Sequence, residues 1–164
     1  SKISVKSEIG KGSAFSFIIQ FDRSTTSAVS IDNKTPLQQL SGRVLVVDDN
    51  EINRLLASNV ITKWGVSVDF AENGKIALKM VQENKYDLVL MDLHMPVMDG
   101  MEASRAIRKL GGYYAAVPII ALTASLFAHE LETITECGMD GFVIKPFVPN
   151  DLYSKIRPYL NVKS

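Results

Sequence analysis

Hydrophobic positions after residue 42 alternate between short apolar runs and stripes with helical spacing. Short apolar runs predict strands, and they cover residues 44–47, 67–70, 88–91, 119–122 and 142–144. Each run is followed by apolar residues three or four positions apart, which is typical of one buried face of a helix. The first of these stripes contains Ile52, Leu55, Leu56 and Val60, and Trp64 and Gly65 end its helix. The four later stripes cover residues 76–81, 103–110, 127–134 and 152–160.

Five strand–helix units predict a parallel sheet with helices on both faces. The runs VLVV, LVLM and IIAL are continuously apolar, as expected for strands that are buried on both sides. The second strand, VSVDF, alternates between apolar and polar residues, so it should lie at an edge. These features favour the strand order 2-1-3-4-5, a flavodoxin-like, doubly wound α/β fold. In that fold, ligands bind beyond the carboxyl ends of the strands, between the first and third strands.

The first part of the chain has a different pattern. Phe15, Phe17, Ile19 and Phe21 alternate with other residues, which predicts a strand with one buried face, and the glycines at 10 and 12 fit a hairpin turn. Two strands alone are only marginally stable in water, so we expect residues 1–21 to be the edge of a domain whose remainder lies upstream. Residues 22–41 are rich in Ser and Thr and predict a flexible linker, which leaves residues 42–161 for the α/β domain.

Composition narrows the classes of function. The formal net charge is zero and the pI is about 6.7, which argues against nucleic acid or an acidic membrane as a partner bound through bulk charge. The apolar runs are far shorter than the roughly 20 residues of a membrane span. The single cysteine, Cys137, cannot form an internal disulfide, so we expect a cytoplasmic setting and a small buried side chain at this position.

Four of the five predicted strands end in polar residues. Asp48 and Asp49 follow the first strand, Asp92 the third, Thr123 the fourth and Lys145 the fifth. Because the carboxyl ends of parallel strands meet at one edge, we expect these side chains to lie close together. Two carboxylates about 4 Å apart repel by roughly 4 kcal/mol at an effective dielectric constant near 20. The adjacent acid pair therefore predicts one side of a divalent-cation site, with Asp92 across from it.

Each of these residues also has a structural interpretation. Any one of residues 48–50 would serve as the cap of the following helix, and Asp92 would suit a turn. Thr123 would suit the cap of the fourth helix, and Lys145 would suit a solvated surface. Chance alone is an improbable reason for such residues at four strand ends, so together they favour one functional site.

The segments VLVVDDN, MDLHMPVMDG, LTA and FVIKPF occur in this order, and with them the chain resembles a response-regulator receiver domain. The resemblance implies that Asp92 accepts a phosphoryl group from a phosphohistidine. It also implies Mg²⁺, with Mn²⁺ as an alternative, held by Asp49, Asp92 and the backbone carbonyl of His94, while Asp48 acts through water. Mg²⁺ prefers such oxygen ligands.

The same resemblance assigns further roles. Lys145 would neutralise charge on the transferred phosphoryl group, Thr123 would donate a hydrogen bond to it, and the small Ala124 would leave room for it. The bond between Lys145 and Pro146 is a candidate cis peptide. Phe142 would turn inward on phosphorylation, so that Thr123 and Phe142 switch the surface of the fourth helix and fifth strand. 

His94 and Ser125, two residues after Asp92 and Thr123, would tune the lifetime of the acyl phosphate. The resemblance also implies that a receiver domain catalyses its own phosphorylation and dephosphorylation.

The hairpin resembles the last two strands of a histidine-kinase ATP-binding domain, with GKGSAF as the glycine-rich turn. The other nucleotide-binding elements of that family are missing, so we expect this fragment to bind no ATP. The chain is then the carboxyl-terminal part of a hybrid histidine kinase, with no DNA-binding domain after it. Its partners would be the phosphohistidine of its own or a cognate kinase and, in a phosphorelay, a histidine phosphotransfer protein.

Two alternative functions use related features. A haloacid-dehalogenase-like phosphatase also uses an aspartate nucleophile and Mg²⁺, but its D-x-D motif follows the first strand, whereas Asp92 follows the third. A receiver-like docking module would keep the fold without the chemistry. All of the phosphorylation residues are present here, which disfavours that interpretation.

Overall fold

The computed structural model describes residues 3–18, 37–124 and 128–163. The chain divides into two compact units, Ser1–Pro36 and Leu37–Ser164. In the first unit, strands β1 (Ile3–Glu8) and β2 (Gly12–Phe17) form an antiparallel hairpin. The φ angles of Gly10 and Gly12 are 79° and 97°, a left-handed conformation that favours glycine. The predicted hairpin and its turn are therefore present.

The apolar face of the hairpin is exposed within the first unit. Val5 pairs with Phe15, and Ile3 pairs with Phe17, so these four apolar side chains lie on one face. Phe15 is 71% exposed and Phe17 is 61% exposed. The expectation that this face is covered by a domain upstream of residue 1 stays a prediction, and positions 19 and 21 lie outside the described residues.

The second unit contains the predicted five-stranded parallel sheet. Its strands, with the short pair that flanks them, are β3 (Leu40–Ser41), β4 (Arg43–Val47), β5 (Ser67–Ala71), β6 (Leu88–Asp92), β7 (Ile119–Thr123), β8 (Gly141–Ile144) and β9 (Asn161–Val162). The sheet order β5-β4-β6-β7-β8 confirms the flavodoxin-like order, with the alternating strand β5 at an edge. The predicted strand ends agree with the observed ones to within one residue.

Helices cover both faces of this sheet. They are α1 (Glu51–Ile61), α2 (Gly74–Glu83), α3 (Gly100–Lys109), α4 (Gly112–Ala116), α5 (Ala128–Glu136) and α6 (Pro149–Ile156). Buried residues of α1 and α6 pack on one face, and those of α2, α3 and α5 pack on the other. The sequence analysis missed α4, because five residues are too few to show a helical period. No helix in the described parts of the chain is long and apolar enough to cross a membrane.

The buried face of α1 differs from the predicted one. Ile52 is 72% exposed, and Leu55 and Leu56 are each 49% exposed, whereas Ala57 and Ile61 are almost fully buried. Apolar residues occur around more than half of this helix, so their spacing alone did not determine which side meets the sheet.

The predicted linker is too long. Leu40 is fully buried, and β3 pairs antiparallel with β9. The Tyr153 hydroxyl donates a hydrogen bond of 3.0 Å to the carbonyl oxygen of Gln38. Residues 37–41 therefore belong to the α/β unit, and residues 22–36 lie outside the described part of the chain. Cys137, at 1% exposure, is buried as predicted.

Candidate functional site

The register of the parallel sheet brings the predicted site residues together. Val47 is paired with Met91, and Thr123 is paired with Ile144. Asp48 and Asp92 therefore leave neighbouring strands at the same level, and Lys145 emerges beside Thr123. The backbone N–H of Lys145 donates a 2.7 Å hydrogen bond to the Thr123 carbonyl oxygen, which fixes the start of the loop after β8.

The Lys145 ammonium lies between two buried carboxylates. Its Nζ is 2.6 Å from Oδ2 of Asp48 and 2.8 Å from Oδ2 of Asp92. Asp48 is fully buried and Asp92 is 8% exposed. Asp49 is exposed, and one oxygen from each of Asp48, Asp49 and Asp92 lies within 4.8 Å of the others. Three carboxylates thus lie close together, and one ammonium group contacts two of them.

The protonation of Asp92 is set by opposing effects. Burial raises the pKa of the Asp92 carboxyl above its ordinary value, and the charge of Asp48 raises it further. The hydrogen bond and charge of Lys145 lower that pKa, as does the backbone N–H of His94, but the net direction is upward. The folded apo protein therefore disfavours the charged form of Asp92, and a second cation would relieve this cost.

Helix α1 holds Asp48 through residues that the sequence analysis did not identify. Oδ1 of Asp48 accepts hydrogen bonds from the backbone N–H of Asn50 at 2.9 Å and from Nδ2 of Asn53 at 3.1 Å. Nη1 of Arg54 donates to the main-chain oxygen of Asp48 at 2.6 Å. The signal available in the sequence was the position of Asn53 and Arg54, in the first turn of the helix that follows the acid pair.

The cap of α1 is Asn50, whose side-chain oxygen accepts a hydrogen bond from the backbone N–H of Ile52 at 2.9 Å. Asp48 and Asp49 are therefore not the capping residues.

The loop after Asp92 comes close to this aspartate at both of its ends. The His94 N–H lies 3.4 Å from Oδ1 of Asp92, and Asp99 forms a capping box with Glu102 at the start of α3. A Cβ atom added to Gly100 would collide with the main chain of Asp92. Val97 has a φ of 73°, a left-handed conformation that β-branched residues rarely adopt.

The remaining predicted residues are on β7 and β8 or follow these strands in the sequence. Thr123 is buried and Ala124 is exposed, while Ser125 lies outside the described residues. Phe142 is half-buried, and Nζ of Lys155 is 5.2 Å from the centre of its ring. The peptide bond between Lys145 and Pro146 is cis.

Comparisons with known proteins identify the family of this chain. The family model "Response regulator receiver domain" matches residues 44–157. The Aerobic respiration control sensor protein ArcB of Escherichia coli is 36% identical over 162 residues, which is 96% of this chain and 20% of that protein. The chain thus spans only a small part of the length of such relatives. In Probable histidine kinase 4 of Oryza sativa, the matched part is 14% of that protein.

Solved receiver structures have the same fold. The chemotaxis protein CheY4 of Vibrio cholerae superimposes with a TM-score of 0.69 at 31% identity, covering 73% of this chain and 99% of that one. The receiver domain of sensor histidine kinase PA1611 of Pseudomonas aeruginosa superimposes with a TM-score of 0.67 at 31% identity, covering 73% and 97%. That structure has a magnesium ion coordinated in its active site cleft.

These matches support a role in phosphorelay signalling and favour neither the phosphatase nor the docking-module alternative. The fold, the order of the four motifs and the family match agree. The chain belongs to the response regulator receiver domain family.

Proposed function

We propose that this chain accepts a phosphoryl group from a phosphohistidine onto Asp92 in a reaction that requires Mg²⁺. The observation that supports this most directly is the position of Lys145, whose ammonium contacts Asp48 and Asp92 at 2.6 and 2.8 Å. An acid cluster with a partly buried ammonium at its edge suits an anionic group that binds together with a divalent cation.

The donor set fits Mg²⁺. Asp48, Asp49 and Asp92 offer three carboxylate oxygens within 4.8 Å of one another, and Mg²⁺ binds through one or two carboxylates while it keeps several waters. We assign direct contacts to Asp49, Asp92 and the backbone carbonyl of His94, and a contact through water to the fully buried Asp48. Mn²⁺ has similar ligand preferences and is the alternative ion.

The chain's own residues supply the rest of the chemistry. An oxygen of Asp92 attacks phosphorus, an Asp92–phosphorus bond forms, and the phosphorus–nitrogen bond to the donor histidine breaks, so that the imidazole leaves. When bound, Mg²⁺ would neutralise charge on the phosphoryl oxygens. Lys145 adds its positive charge to the same oxygens, and the Thr123 hydroxyl donates a hydrogen bond to one of them. Ala124 leaves space for the group.

Phosphorylation would then change the surface formed by α5 and β8. Contacts from the phosphoryl group to Thr123 and Lys145 favour one arrangement of these elements over another that is already sampled. Phe142, half-buried on β8, turns inward in that arrangement. His94 and Ser125, which follow Asp92 and Thr123 by two positions in the sequence, influence how fast the acyl phosphate is hydrolysed.

The parent protein is proposed to be a cytoplasmic or membrane-anchored hybrid histidine kinase. Similarity to ArcB over 96% of this chain supports this, because the match includes the hairpin region as well as the receiver. Residues 1–21 would be the last two strands of the kinase ATP-binding domain. The donor is then the kinase's own phosphohistidine or that of a cognate kinase, and a histidine phosphotransfer protein is the next acceptor.

The test is the intact mass of the chain after incubation with a small-molecule phosphodonor such as acetyl phosphate. We expect one added phosphoryl group in the presence of Mg²⁺ and none after Mg²⁺ is removed by a chelator. Asp92→Asn should abolish the adduct, because the amide nitrogen is no nucleophile for phosphorus. Asp151→Asn is the matched control, since Asp151 is exposed on α6, and it should label as the unmodified chain does.

Labelling that persists in Asp92→Asn would contradict the assignment of the acceptor. A folded chain that takes up no phosphoryl group and forms no complex with beryllofluoride, a stable mimic of the bound group, would contradict the proposed function. A beryllofluoride complex without a detectable adduct would support rapid hydrolysis at the same residue.

A further inference from the structure

We propose that Asn53 is a positioning residue for the cation site and that it acts by fixing the orientation of the Asp48 carboxylate. The proposal rests on the proposed function, because it assigns a role in Mg²⁺ binding to a residue on α1. Asn53 touches neither the acceptor nor the cation in this scheme. Its effect passes through one hydrogen bond.

The hydrogen bonds of Asp48 divide between its two oxygens. Oδ1 accepts from Nδ2 of Asn53 at 3.1 Å and from the backbone N–H of Asn50 at 2.9 Å. Oδ2 accepts from Nζ of Lys145 at 2.6 Å. Hydrogen bonds to both oxygens therefore fix the orientation of the carboxylate plane. Oδ2 is directed toward Lys145 and Asp92, where the cation and the phosphoryl group would lie.

The burial of Asp48 gives this arrangement its importance. The residue is fully buried, so its oxygens depend on donors that the protein holds in place, and a buried carboxylate that loses one of them is freer to rotate. Without Asn53, Oδ1 loses one of its two donors among the described residues and keeps the Asn50 N–H. The carboxylate is then less constrained, and a water-mediated contact to a metal requires a fixed acceptor.

The next residue restrains the main chain of the same aspartate. Nη1 of Arg54 donates to the Asp48 carbonyl oxygen at 2.6 Å, while the backbone N–H of Arg54 donates to the carbonyl oxygen of Asn50 at 3.2 Å. Two consecutive residues in the first turn of α1 thus hold the side chain and the backbone of Asp48. A helix with no carboxylate at the site thereby determines the shape of the acidic pocket.

The experiment compares Asn53→Leu with the unmodified chain by calorimetric titration with Mg²⁺. Leucine matches asparagine in size and lacks the donor. We expect Mg²⁺ affinity to fall on the order of tenfold, as is usual when a partner that orients a metal-site group is removed. Asn59→Leu is the control: Asn59 is exposed on the same helix, and its substitution should leave affinity within about twofold, a change of about 0.4 kcal/mol.

A second measurement separates positioning from a purely structural role. In the unmodified chain, the side-chain amide resonances of Asn53 should shift during the Mg²⁺ titration and saturate at the same concentration as the calorimetric signal. A folded Asn53→Leu chain with unchanged Mg²⁺ affinity would overturn the inference. Side-chain amide resonances of Asn53 that do not shift when Mg²⁺ binds to the unmodified chain would also overturn it. An unmodified chain that binds no Mg²⁺ would instead overturn the proposed function, and this inference with it.

Discussion

Replacement of Lys145 by methionine should destabilise the apo protein, because the lysine ammonium separates two buried acids. The substitution keeps most of the side-chain volume and removes the charge. Nζ of Lys145 contacts Oδ2 of Asp48 and Oδ2 of Asp92 at 2.6 and 2.8 Å. Without it, each carboxylate loses a charged hydrogen-bond donor and faces the other directly.

The size of the effect follows from the distance between the acids. Carboxylate oxygens of Asp48 and Asp92 lie within 4.8 Å, where two unit charges repel by about 3.5 kcal/mol at an effective dielectric constant of 20. Protonation of Asp92 would remove this repulsion and so limits the loss of stability. Each pH unit between the pKa of Asp92 and neutral pH adds about 1.4 kcal/mol to the cost of that protonation. We therefore expect Lys145→Met to lower the free energy of unfolding by about 3 kcal/mol at neutral pH, in the range found when one partner of a buried ion pair is removed.

Urea denaturation in a chelator measures this loss, and a double-mutant cycle tests its cause. In an Asp92→Asn background the same substitution should cost less than about half as much, since one of the two acids is then neutral. Lys79→Met serves as the control: the Lys79 side chain is 74% exposed and its ammonium pairs with Glu83 at 3.7 Å, so the change should stay below about 0.5 kcal/mol. An equal cost of Lys145→Met in both backgrounds would refute the reasoning.

Three further predictions concern the same edge of the sheet. Asp92→Asn should raise the stability of the apo protein at neutral pH. The folded-state pKa of Asp92 is raised by burial, so its contribution is favourable at low pH and is lost as pH rises through that pKa; urea titrations across pH should show this slope reduced in the variant. Gly100→Ala should lower the free energy of unfolding by about 3 kcal/mol, because the added Cβ would collide with the Asp92 main chain. Thermal unfolding measures this loss, and a much smaller loss would mean that the loop moves to accommodate the methyl group. Val97→Asn should raise the free energy of unfolding by about 1 kcal/mol, because asparagine tolerates a φ of 73° and the valine side chain is 78% exposed. An unchanged midpoint of urea unfolding would mean that the left-handed conformation of Val97 costs no stability.

The sheet was predictable because its strands carry a local signal. Continuous apolar runs such as residues 88–91 identify strands buried on both faces, and the alternating run at 67–70 identifies an edge. The pairing of Leu40 with Val162 carries no such signal, because it joins two residues with two others far away in the chain. The face that α1 buries was also unpredictable, since Ile52 and Leu55 are as apolar as the buried Ile61.

The candidate site was predictable to the extent that it is built from strand ends. Asp92, Thr123 and Lys145 are the residues at which their strands end or that follow directly, and parallel register brings such positions together. Asn53 and Arg54 were missed because their contacts depend on how α1 turns away from the sheet. The half-buried position of Phe142 likewise depends on tertiary packing rather than on its strand pattern.

The pairing of β3 with β9 has a mechanical consequence. Leu40 pairs with Val162, and the N–H of Lys163 donates to the carbonyl oxygen of Gln39 at 2.9 Å, so the polypeptide enters and leaves the α/β unit at the same end of one short ladder. Tension applied between residues 37 and 163 would unzip this ladder one hydrogen bond at a time. The parallel strands, which would have to be sheared together, bear the load only afterwards. The acidic pocket lies at the opposite ends of those strands, so the first displacement under load occurs far from Asp92.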